Sequence, residues 1–351
     1  MTTILVTTTE RSTGKTAVAL ALALVARDDG QTVGYMKPKG TRRAGGVEET
    51  VDSDPALARE LLALDADIEA LEPVVYSPTF IEEVMRGRRD PAAVRERVSE
   101  QFATLAADRD LMIVEGASHL TTGGAIDLAD PDLAALLDAR VVHVTGYTHP
   151  GDIDDVLAAT DAIGDRLSGL LFNDVPAGSR EMLTETAVPF LEGRNLPVRG
   201  ALPRTRELAG VSVADFAAAL GAEVLTEGDT DARVGTLLVG AMGADASLRY
   251  FRRATDAAVI TGGDRSDIHT VALEAPGVTC LCLTGGFQPS DAVVGRAERR
   301  GVPILRVDGD TLSTVERAER IIQSGRVRDA EPIKRMRELL DAHADVDALL
   351  S

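Results

Sequence analysis

The chain has 351 residues, 44% of them apolar and 26% charged, a globular composition long enough for two ordinary domains. Its formal net charge is −19, with four lysines against 33 arginines, and it lacks tryptophan. No basic stripe is available to neutralise phosphates, which argues against nucleic acid or anionic membrane as a partner, and no apolar run reaches the roughly eighteen residues of a transmembrane helix.

The N-terminus lacks a basic region followed by a small-residue cleavage site, so it does not read as a signal peptide. Two cysteines, Cys280 and Cys282, are too few and too close for a disulfide framework or a zinc site, and are expected in the core. These features predict a cytoplasmic protein. The dispersed acidic surface reads as adaptation to a salt-rich, halophilic cytoplasm.

Residues 3–8 read as a strand and 14–27 as a helix with the core "KTAVALALALVAR", which Gly30 ends. "QTVGYM" returns as a strand, "DPALARELLAL" and 91–107 are helices, and "LMIVEG" is a buried parallel strand. "RVVHVTG", "GDIDDVLAATDAI", "LSGLLFN", a helix near 178–192 and "LPVRGALP" continue the alternation. This is the pattern of an α/β protein with a doubly wound, mostly parallel sheet, over residues 1–208. The rhythm breaks at Pro203 and Gly210, and a smaller α/β unit spans 211–325. Residues 326–351 form a C-terminal helical tail with Ile333, Met336, Leu339 and Leu340 on one face, either a docking helix or a linker.

"VTTTERSTGKT" at 6–16 ends in Gly14-Lys15-Thr16 at a strand–helix junction, the context of a phosphate-binding loop. Arg11, Ser12, Thr13 and Gly14 would present backbone N–H groups to an anion at the helix start. Lys15 would reach the β- and γ-phosphates and Thr16 would hold Mg²⁺. Thr8 stands where such a loop has its first glycine, which predicts a longer or distorted loop.

Lys37 closes the next strand, where ligands of parallel sheets gather, and Pro38 stiffens its turn. It is either a second cation over a transferred phosphoryl group or a surface lysine. Three of the four lysines fall at 15, 37 and 39, which suggests retained tasks, although Lys39 is expected at the surface. Glu115 ends a buried strand, where the second metal ligand of such enzymes sits. Asp54 is a helix cap, a metal ligand or both. Asn173, at another strand end, is either a neighbour of an adenine edge or a turn residue. His119, His143 and His149 have no metal-site spacing, and no Ser-His-Asp arrangement is discernible.

"TTTERSTGKT", "VGYMKPKG", "SDPALA", "IVEGAS" and "LLFND", in this order and spacing, resemble the dethiobiotin synthetase-like P-loop NTPase domain over residues 1–205. Such synthetases use ATP and Mg²⁺ to phosphorylate a carbamate and close a ring. The resemblance puts Lys15, Thr16 and Lys37 on phosphate and catalytic positions, Asp54 and Glu115 on Mg²⁺ positions, and Asn173 on the adenine position. The synthetases carry a glycine-rich stretch after the glutamate. Here it reads "EGASHLTTGG", with Ser118 and His119 replacing glycines, so biotin-type substrate recognition is not implied.

"VITGGDRSDIHTVAL", "CLCLTGGFQPSDAV" and "VPILRVDGDTLSTVERAERI" resemble the DRTGG domain over about 110 residues. Physically, Gly262-Gly263 and Gly285-Gly286 could form N–H nests for an anion, with Arg265 clamping it. Alternatively Asp264 caps the next helix and Arg265 pairs with it, and His269 is structural. A synthetase-like domain followed by a DRTGG domain looks like the N-terminal half of the long phosphate acetyltransferases, where the pair is regulatory.

The resemblance therefore implies an ATP- and Mg²⁺-binding regulatory or accessory protein of the phosphotransacetylase type. Slow ATP hydrolysis is compatible with it, and no acetyltransferase activity of its own is expected. A small anionic effector at the DRTGG domain, a partner enzyme of acetyl-CoA metabolism and a homo-oligomer are expected with it. The alternative is an ATP-dependent C–N ligase acting through an acyl or carbamoyl phosphate. A purely structural protein with a vestigial site is disfavoured by the retained Lys15, Thr16, Asp54 and Glu115.

Overall fold

The computed structural model describes residues 1–9, 13–40, 53–205, 208, 210–323 and 330–351. The chain divides into two compact units, one of Met1–Arg204 with Val327–Ser351 and one of Thr205–Arg326.

The first unit contains strands β1 (Thr2–Thr7), β2 (Val33–Met36), β3 (Lys39–Gly40), β4 (Val74–Val75), β5 (Leu111–Glu115), β6 (Arg140–Thr145), β7 (Leu167–Val175) and β8 (Val198–Pro203). Six of them form a parallel sheet in the order β2-β5-β1-β6-β7-β8, and β3 pairs with β4 apart from it. Their apolar runs are buried on both faces because helices cover the sheet on either side. The chain steps outward from β1 to β2, returns to insert β5 between them, and then continues on the other side with β6. That reversal brings the carboxyl ends of β1, β2 and β5 together, the position where ligands of doubly wound sheets bind. The register sets Val6 opposite Glu115 and Met36 opposite Val114.

Helix α1 (Lys15–Asp28) starts at Gly14, which has φ 75°. Every residue from Ala17 to Leu24 is buried, so this helix is apolar on all sides rather than along one stripe. The sheet covers one side. The other is covered by helix Ala330–His343, with Ile333, Met336, Leu339 and Leu340 buried beneath it. Residue Arg337 bonds Asp28 at the far end of α1, the Asp345 N–H donates to the Arg199 carbonyl at 2.7 Å, and Ala344 bridges to Gly200 of β8. The C-terminal segment thus forms a docking helix within the first unit. Helix α2 (Ser53–Leu61) carries Asp54 in its first turn.

The second unit contains β9 (Val211–Ser212), β10 (Glu223–Val224), β11 (Arg233–Val234), β12 (Thr236–Val239), β13 (Ala257–Gly262), β14 (Val278–Thr284) and β15 (Ile304–Arg306). Its sheet runs β10-β15-β14-β13-β12, parallel except for the antiparallel edge strand β10. Cys280 and Cys282 lie on β14 in the core, and burial pushes the Cys282 thiol up to about 12. No helix among the described residues is long and apolar enough to cross a membrane.

Candidate nucleotide-binding site

Strand β1 ends at Thr7, and the chain turns through the loop into α1. The Thr13 hydroxyl donates to the buried Thr8 hydroxyl at 3.0 Å, which closes the loop across its base. Thr8 has no positive φ; among the described loop residues that conformation falls on Gly14 alone, so the missing glycine is not needed at position 8. A side-chain carbon added at Gly14 would also lie 2.5 Å from Asn173 Nδ2. Arg11 and Ser12 lie outside the described residues.

Glu115 is the hub of the site. Its Oε1 accepts from Lys15 Nζ at 2.7 Å and from the Thr16 hydroxyl at 2.7 Å, and its Oε2 accepts from the Tyr35 hydroxyl at 2.7 Å. Lys15 Nζ also donates to the Gly116 carbonyl at 2.7 Å. Lys37 Nζ lies 3.8 Å from Glu115 Oε1 and donates to Asp54 Oδ2, which is 3.3 Å from the Thr16 hydroxyl. Lys15, Thr16, Lys37, Asp54 and Glu115 therefore meet at one point, brought there by α1, β2, α2 and β5. Burial opposes the charge on Glu115, but Lys15, Lys37 and the Thr16 hydrogen bond outweigh it and hold the carboxyl at about 2. The set can match anionic oxygens with two ammonium groups and a hard cation with two carboxylates and a hydroxyl.

Asn173 faces the loop: its Nδ2 donates to the Thr13 carbonyl at 2.7 Å and so braces the turn. The expectation of a surface Lys39 is corrected. Lys39 is 1% exposed, donating to Asp130 Oδ1 at 2.9 Å, to the Thr122 carbonyl at 2.8 Å and to the Leu128 carbonyl. Asp130 also accepts from the Thr7 hydroxyl at 2.5 Å and the Ala117 N–H at 3.3 Å. This second buried ion pair stands directly behind Gly116, where an added side-chain carbon would meet Asp130 Oδ2 at 2.3 Å. Sequence reasoning missed Tyr35 and Asp130. The lysine scarcity marked Lys39 as well as Lys37, but carried no sign of its burial.

In the second unit, the N–H of Gly263 donates to Thr284, that of Gly285 to Gly309 and that of Gly286 to Val307, all to backbone carbonyls. These glycine turns stitch the strand ends together and do not leave those N–H groups as an anion nest. Arg265 pairs with Asp267 at 3.2 Å, not with Asp264, and its Nη2 donates to the Met242 carbonyl at 3.1 Å. His269 is buried, with Nε2 3.0 Å from the Gly262 carbonyl, a structural placement. His119 and His149 are exposed, while His143 is buried on β6 and burial lowers it to about 4.

A parallel sheet, a strand–loop–helix phosphate motif and converging lysines and carboxylates define the first unit as P-loop NTPase-like. The AAA_26 family, described as an AAA domain, matches residues 2–212, and the chain belongs to it; the DRTGG domain family matches residues 215–321. The chain is 23% identical to the phosphate acetyltransferase of Haemophilus influenzae over 95% of its own length and 50% of the relative's. It is 25% identical to that of Pseudomonas putida, over 98% and 51%. It is also 29% identical to the ATP-dependent dethiobiotin synthetase BioD of Aromatoleum aromaticum, over 60% of the chain and 93% of the relative. The chain thus spans about half the length of the phosphate acetyltransferases it matches and is homologous to their N-terminal half. A solved structure of the CBS and DRTGG domains of a Clostridium perfringens pyrophosphatase aligns with 41% of the chain and 70% of its own, at 21% identity and a TM-score of 0.27. The relation to the acetyltransferases and the synthetase supports a P-loop NTPase-like, nucleotide-binding accessory protein.

Proposed function

We propose that the first unit binds ATP with Mg²⁺ and that the chain is a regulatory or accessory protein of the phosphotransacetylase type. The convergence of Lys15, Thr16, Lys37, Asp54 and Glu115 carries this reading. Thr16, Asp54 and Glu115 form an all-oxygen donor set that fits Mg²⁺, which favours oxygen ligands. Bound there, Mg²⁺ would supply charge neutralisation at the β- and γ-phosphate oxygens. On binding, Lys15 and Lys37 exchange carboxylate partners for phosphate oxygens, so the buried charges stay matched throughout. Arg11, Ser12, Thr13 and Gly14 would hold the phosphates, and Asn173 would contact the adenine. Hydrolysis is slow in this reading, and acetyl transfer belongs to a partner of acetyl-CoA metabolism. The effector proposal at the second unit rests on Arg265 rather than on the glycine N–H groups. Cytoplasmic location and homo-oligomerisation belong to the same proposal.

A second reading, an ATP-dependent C–N ligase, is favoured by Lys37, a second buried ammonium suited to an acyl or carbamoyl phosphate. Calorimetric titration with ATP, with and without Mg²⁺, combined with phosphate release across amines and carboxylic acids, separates the two. Tight Mg²⁺-dependent binding with negligible release is expected, and release triggered by one acceptor would establish the ligase. Lys15→Ala is expected to abolish binding; unchanged titration would overturn the site.

A further inference from the structure

Gly14, the residue that turns the loop into α1, is enclosed by two side chains from distant parts of the chain. A carbon added there would lie 2.5 Å from Asn173 Nδ2 and 3.6 Å from Met336 Cε. Asn173 belongs to β7. Met336 belongs to helix Ala330–His343, is 1% exposed, and lies 322 positions along the chain from Gly14. Its neighbours Leu339 and Leu340 are buried as well, and Met336 supplies one of the three atoms nearest the place of a Gly14 side-chain carbon. A left-handed turn at a helix start has few internal restraints, because the first N–H groups of the helix have no intrahelical partners. Here the Asn173 bond to the Thr13 carbonyl braces that turn, and the Met336 methyl lies 3.6 Å from where a Gly14 side-chain carbon would stand. Methionine suits such a place, since an unbranched thioether fills an irregular gap that a shorter apolar side chain would leave open.

We propose that Met336 is a positioning residue of the nucleotide site, and that the C-terminal helix of the first unit thereby helps to set the left-handed turn at Gly14. The proposal rests on the nucleotide-binding reading above for its effect on affinity, but its structural half can be measured alone. Leu339→Ala is the control, buried on the same helix and not among the atoms nearest a Gly14 side-chain carbon. Met336→Ala is expected to weaken Mg²⁺-dependent ATP binding by about fivefold or more, whereas Leu339→Ala stays within about twofold of wild type. In the protein without added nucleotide, hydrogen exchange of the Gly14, Lys15 and Thr16 amides is expected to quicken in Met336→Ala and not in Leu339→Ala. If both variants bind ATP alike and exchange alike at these amides, the proposal fails. Should wild type bind no ATP, the nucleotide reading fails instead, and the exchange comparison still decides the role of Met336. If Met336→Ala does not fold, Met336→Val replaces it in both measurements, because it removes the atoms that reach Gly14.

Discussion

Glu115 shows how a buried carboxylate is kept charged. Desolvation alone would favour its neutral form, yet the ammonium groups of Lys15 and Lys37 and the hydroxyls of Thr16 and Tyr35 surround it. Lys39 and Asp130 make the same bargain one layer behind, both side chains fully buried and joined at 2.9 Å. Removing one member of such a pair leaves an unpaired charge, whereas replacing both removes the desolvation cost as well. Asp130→Ala is therefore expected to lower stability by about 3–5 kcal/mol, while the double variant Lys39→Met with Asp130→Leu loses much less. Urea denaturation of the three proteins checks this, and a double variant as unstable as Asp130→Ala would refute it. The role of Lys39 was not readable locally, because its partner lies 91 positions away and carries no motif.

At the scale of elements, α1 explains why the C-terminal helix docks where it does. A helix whose residues 17–24 are all buried needs cover on both sides, and one sheet supplies only half of it. Helix Ala330–His343 supplies the rest and is anchored at its end where Ala344 meets Gly200. A side-chain carbon at position 200 would lie 2.7 Å from Ala344 Cβ and 2.8 Å from the His343 carbonyl, so the close approach requires glycine. Gly200→Ala is expected to cost about 1–3 kcal/mol by forcing the two segments apart. Thermal unfolding measures it, and a change within about 0.5 kcal/mol would show that this contact gives way freely.

At the scale of the molecule, a net charge of −19 makes self-repulsion a general load on the folded state. Raising KCl from about 0.1 M to about 1 M shortens the screening length from about 10 Å to about 3 Å. The unfolding midpoint is therefore expected to rise across that range, by scanning calorimetry. A midpoint that falls or stays level would remove the basis for the halophilic reading.

Strand–helix alternation, the two α/β units and the helix start at Gly14-Lys15-Thr16 were legible in the sequence, because periodicity and local motifs report which residues must be buried and where the backbone must turn. That Lys15, Thr16, Lys37, Asp54 and Glu115 gather at one end of the sheet was legible for the same reason, each standing at a strand end or a helix start, while their roles toward a nucleotide belong to the proposal. Tertiary structure alone decided that Lys39 is buried against Asp130, that Tyr35 completes the Glu115 shell, and that the glycine turns of the second unit bond to backbone carbonyls. It also decided that Met336 lies beside the space where a Gly14 side chain would stand. These depend on which distant segments share one volume, and a side chain's partner is set by that packing rather than by its neighbours along the chain.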